Sequence, residues 1–66
     1  MKTYKVFVQA EHAQQLNEKG KPEEKMFVYD MEDESYEAAF ARGKARFDLE
    51  EAAKGWKAIG TSVLEM

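Results

Sequence analysis

Cysteine is absent from the 66 residues, which excludes disulfides and thiolate metal sites as props for so short a chain. Proline and histidine occur once each, as Pro22 and His12. No run of 18 apolar residues exists, so the sequence holds no candidate transmembrane helix. Basic side chains are outnumbered, 10 against 13 acidic, for a formal net charge of −3. Nucleic acids and anionic lipids are bound mainly through positive charge, and the overall balance lends neither any support. Met1-Lys2-Thr3-Tyr4-Lys5 leads into an alternating pattern rather than the continuous apolar core of a signal peptide, so a cytoplasmic protein is expected.

The length accommodates one domain, residues 1–66. A chain of this size buries only about 60% of the surface its unfolded form exposes. Its single core yields stability of roughly 3–5 kcal/mol, and oligomerisation is one of the few remaining aids. Most apolar residues are needed for that core, which leaves little room for a catalytic cleft.

The strongest periodic signal runs from Glu34 to Phe47. At about 100° per residue, Tyr36, Ala39, Phe40, Gly43 and Phe47 share one stripe of a helix. Asp33 or Ser35 can cap its start, where carboxylates complement the helix dipole. Arg42, Lys44 and Arg46 then read as last-turn cations, with Arg42 and Arg46 along one flank. The stripe makes Phe40→Ala the substitution expected to unfold the chain, at about 3–5 kcal/mol. Past Phe47, Glu50, Glu51 and Lys54 would enter the stripe, which predicts a break near Asp48. Asp48-Leu49-Glu50-Glu51 has capping-box spacing, so a short second helix or turn is expected over 49–54, stopped by Gly55.

Three stretches read as strands. In the first, Thr3 to Ala10, Tyr4, Val6, Val8 and Ala10 recur with period two, and Phe7 lies opposite with Lys5 and Gln9. In the second, Lys25 to Met31, Met26 and Val28 share one face and Phe27, Tyr29 and Met31 the other. Trp56 to Glu65 forms the third. Between the first two, Glu11 to Glu24 has too few apolar residues to anchor a helix, and a long mobile connection is expected with Asn17 to Pro22 at its tip. A hairpin followed by a right-handed crossover gives an α+β fold, β-β-α-β, with strand order 2-1-3 and one main helix on one face. Phe7 or Tyr29, together with Trp56, would then lack a partner inside a lone molecule. Bare strand edges and exposed apolar patches mark interfaces.

The chain supplies no constellation for catalysis. His12 adjoins Glu11, but no serine or cysteine nucleophile motif accompanies it, and an exposed loop histidine is expected. Gly20-Lys21 and Gly43-Lys44 lack the phosphate-loop pattern. The acidic run Asp30, Glu32, Asp33, Glu34, Glu37 lacks the glycine and the bidentate glutamate of a calcium loop. It reads as a capped helix start, with a partner-facing acidic patch as the functional alternative. Trp56 joins that candidate partner-binding set, because tryptophan is enriched at interface hot spots. No catalytic residue, metal or cofactor is read.

In size and layout the chain resembles small phage-encoded proteins, a likeness of dimensions that no motif carries. The resemblance implies an accessory or inhibitor role exerted by occluding a partner's site. The leading expectation is thus a non-enzymatic module that binds another protein through the sheet edge, the open face or the acidic helix start. Alternatives are a structural homodimer, or weak nucleic-acid binding through Arg42, Lys44 and Arg46.

Overall fold

In the computed structural model, which describes residues 1–66, strand β1 (Lys2–Leu16) pairs with β2 (Pro22–Asp33) on one side and β3 (Trp56–Glu65) on the other. Both pairings are antiparallel, and the strand order is 2-1-3, as the patterning predicts. Helix α1 (Tyr36–Glu50) crosses one face, and a single 3₁₀ turn, Ala52–Lys54, leads into β3.

The helix-facing side of β1 is the row Tyr4, Val6, Val8, Ala10 and His12, each 4% exposed or less. Ala39, Gly43 and Phe47 of α1 are buried against the sheet, with Tyr29 alongside and Phe27, Met31, Trp56 and Val63 around them. Phe27 meets Phe47 and Trp56 edge to face at 5.4 and 5.3 Å. Gly43 is a requirement of this packing. A Cβ there would lie 2.6 Å from Val6 Cγ1, so the absent side chain lets the helix descend onto the central strand.

Several expectations need correction. The sheet covers only part of the predicted stripe: Ala39, Gly43 and Phe47 are buried, Tyr36 and Phe40 stay 48% and 43% exposed, and Phe47 is the ring that anchors the core. The break expected near Asp48 comes two residues later, and the short element expected over 49–54 is the 3₁₀ turn Ala52–Lys54. The main helix runs to Glu50, the amide of Glu51 donates to the Phe47 carbonyl, and Asp48 caps nothing. Glu50, rather than intruding on the stripe as a bare charge, accepts from Arg46 Nε at 2.9 Å, one turn earlier. Arg42, Lys44 and Arg46 therefore sit mid-helix, and the last turn has no basic residue. The cap is Ser35, whose hydroxyl accepts from the Ala38 amide. Gly55, at φ 100°, does stop the 3₁₀ turn.

The long mobile connection is likewise replaced by strand. β1 and β2 extend to Leu16 and Pro22, joined by Asn17–Lys21. The tip is held by Asn17, whose side-chain oxygen accepts from the amides of Lys19 and Lys21. Residues 13–16 are exposed, and the pairing is irregular there: the register passes from His12–Glu23 to Leu16–Pro22, leaving Ala13, Gln14 and Gln15 opposite no residue of β2. The arm contributes to an extended outline of 43 × 20 × 14 Å.

Candidate functional site

The residues of interest fall into three groups, set by which side of the sheet they occupy. The first surrounds His12. It is buried rather than exposed in a loop, because β1 continues past Ala10 and His12 prolongs the inward row. Its Nδ1 accepts from the Gln14 amide at 3.2 Å, which leaves Nε2 to donate to the Lys54 carbonyl at 2.7 Å. The ring also stands edge-on to Trp56, 5.1 Å between centroids. A Cβ at position 55 would reach within 2.5 Å of Nε2, so Gly55 serves both its left-handed backbone and the imidazole beside it. His12 thereby ties the end of β1 to the start of β3. Trp56, half-buried between His12 and Phe27, belongs to that corner of the core.

The second group holds the predicted acidic and basic residues, which do not form two opposed patches. Asp33 is 7% exposed and accepts from Arg42 Nη1 at 3.1 Å and from the Glu34 amide at 2.9 Å. The same guanidinium donates to the Glu32 carbonyl. Arg46, besides reaching Glu50, stacks over the Tyr29 ring at 5.2 Å. Asp30 pairs with Lys5 at 3.7 Å, and Glu34 and Glu37 project into solvent at the helix start. Asp30, Glu32, Arg42 and Arg46 border an open depression of about 900 Å³ along the margin of β2. Two acids and two arginines line it, and Asp30, Arg42 and Arg46 are each paired within the chain. No group of three or more histidine or acidic side chains converges as metal ligands.

Two tyrosines lie beneath this region. Burial pushes the Tyr29 hydroxyl above its ordinary pKa, with Glu50 and Glu51 adding to the effect. That hydroxyl has no hydrogen-bond partner in the protein. Burial likewise raises Tyr4, reinforced by Glu65.

The third group is the sheet's uncovered side. Lys5, Phe7 and Gln9 face away from the helix, and register places Phe7 between Val28 and Ser62, Lys5 between Asp30 and Leu64, and Gln9 between Met26 and Gly60. Met26, Val28 and Leu64 are each about half exposed. The apolar centre is thus Phe7 with Met26, Val28 and Leu64, flanked by the Lys5–Asp30 ion pair and by Gln9 donating to Glu24 at 3.3 Å. Sequence alternation sets Phe7 opposite the Tyr4 row and pairs Met26 with Val28, but only the register brings these three together with Leu64.

The strand margins differ from each other. Met66 donates its amide to the Thr3 carbonyl, so odd-numbered residues of β1 bond toward β3 and even-numbered ones toward β2. By alternation, Thr61, Val63 and Glu65 present their amide and carbonyl groups outward from β3, as do Val28, Asp30 and Glu32 from β2. Arg42 occupies the Glu32 carbonyl on the β2 margin. The β3 margin has no such cover, and beside it Tyr36, Glu37 and Phe40 form a groove of about 410 Å³ with Thr61, Ser62 and Val63.

No protein-family model matches this chain, and neither the curated proteins nor the solved structures contain a significant match to it.

Proposed function

We propose that this chain is a small non-enzymatic interaction module that binds another protein through the uncovered face of its sheet. The supporting observation is the cluster of Met26, Val28 and Leu64, each about half exposed, around a partly covered Phe7 in the middle of that face. A core-quality apolar centre with a polar rim matches the anatomy of protein interfaces. Lys5, Asp30, Gln9 and Glu24 supply such a rim. Occluding a partner's site in this way would make the chain an accessory or inhibitor protein, in keeping with its small size.

The acidic helix start has less in its favour as a docking surface, since Asp33 is buried and neutralised by Arg42. The nucleic-acid alternative loses support for the same reason: Arg42 and Arg46 are each engaged by a carboxylate.

The test is capture of partners by the intact chain from the cells in which it occurs, compared with Phe7→Ser and Val28→Glu. A partner held by the wild type and lost by both folded variants supports the reading. Equal recovery by all three, or none above background, overturns it.

A further inference from the structure

The β3 margin carries a more specific inference, which deepens the interaction-module reading and rests on it for the use of the enlarged surface. We infer that two copies of the chain associate along β3, antiparallel about a two-fold axis near Ser62, to give a continuous six-stranded sheet.

Three observations converge on a second copy as the occupant. Thr61 and Val63 direct unpaired amides and carbonyls outward, and an axis at Ser62 sets Thr61 of one copy opposite Val63 of the other. The bulge at Ile59, between the Gln9–Gly60 and Ala10–Ala58 pairs, ends the regular edge on one side and so limits the alternative registers. The β2 margin, though also unpaired at Val28 and Asp30, is the poorer edge: Arg42 occupies its Glu32 carbonyl, and Asp30 and Glu32 line it with charge.

The helices supply the second argument. α1 lies over β1, with Gly43 against Val6, so pairing β3 to β3 separates the two helix axes by three strand spacings, roughly 14 Å. Bare helix packing spans 8–10 Å. A gap this wide needs large side chains, and Tyr36 and Phe40 stand 48% and 43% exposed on the flank that would border it.

Charge gives the third. Along that flank Glu37 and Lys44 bracket Phe40 at seven residues' separation, about two turns, and neither makes an ion pair within the chain. Antiparallel association sets Glu37 of one copy beside Lys44 of the other, twice, with the Phe40 rings between. Self-complementarity of this kind is what a two-fold interface demands. Joining the sheets also brings both uncovered faces into one surface, with a Leu64 from each copy near the axis.

Sedimentation equilibrium of the intact chain over a broad concentration series provides the test. The mass should rise from 7.6 kDa toward twice that value. Phe40→Glu should abolish the rise while leaving the circular dichroism spectrum unchanged. Thr61→Pro should do the same, since it removes only an outward amide. Glu37→Lys should weaken the dimer, and adding Lys44→Glu should restore it, an outcome that a misfolded variant cannot mimic. A wild type that stays monomeric throughout, or a dimer indifferent to Phe40→Glu and to the charge reversal, overturns the inference. A monomer that still captures a partner through Phe7 and Val28 defeats self-association alone. A dimer that captures nothing defeats the functional reading alone.

Discussion

Alternate residues of β1 meet two different worlds. Tyr4, Val6, Val8, Ala10 and His12 lie under the helix, each 4% exposed or less, whereas Lys5 and Phe7 keep part of their surface in water and Gln9 most of it. One strand thus serves as the floor of a core and the centre of an open surface. Sixty-six residues with one helix can cover one side only, and 10 of them are buried. Such a fold places its stability on one face and leaves the other uncovered. Substitutions on the two faces should therefore separate stability from binding.

The largest effect belongs to Phe47→Ala. It empties the centre of the covered side and should cost about 3–5 kcal/mol, enough to unfold most of a domain whose whole stability is of that order. Loss of a cooperative urea transition would show it. Gly43→Ala should come next, at about 1–3 kcal/mol, because the new methyl overlaps Val6. Pairing it with Val6→Ala should recover part of the loss, so that the double variant is less destabilised than the sum of the singles.

A third test uses alkali. Tyr4 and Tyr29 both have raised folded-state pKa values, chiefly through burial. Their contribution to stability is complete below the unfolded tyrosine value of about 10 and is lost as pH rises through the higher folded value. The urea midpoint should fall between about pH 9 and about pH 11, and Tyr29→Phe should lessen the fall. Because the Tyr29 hydroxyl lacks a protein partner, that substitution should leave neutral-pH stability nearly unchanged. The open side should be less sensitive than the core: Phe7→Ser, at a partly covered ring, should cost roughly 1–2 kcal/mol while removing partner capture. Comparable destabilisation by Phe7→Ser and Phe47→Ala would erase the contrast between the faces.

Legibility in the sequence falls with distance along the chain. Period-two alternation assigns Tyr4, Val6, Val8 and Ala10 to one face, and the order β-β-α-β leads to strand order 2-1-3. Gly43 appears in the helical stripe, and Gly55 appears as the stop before β3. Phe40 misleads because the stripe is broader than the surface it meets: five residues qualify by angle, and the sheet covers three. His12 misleads because its partners are a backbone carbonyl 42 residues away and a strand continuation that local hydropathy does not announce.

Amphipathic period, capping chemistry and crossover handedness are properties of neighbouring residues, so the sequence alone determined the elements, their order and the inward-facing row of β1. Tertiary structure alone decided which helix ring is buried, that Arg42 is tied to Asp33 and to a carbonyl on the β2 margin, and that His12 anchors the turn before Trp56. Each of these depends on register and helix rotation, which arise only when segments far apart in the chain compete for the same limited apolar surface.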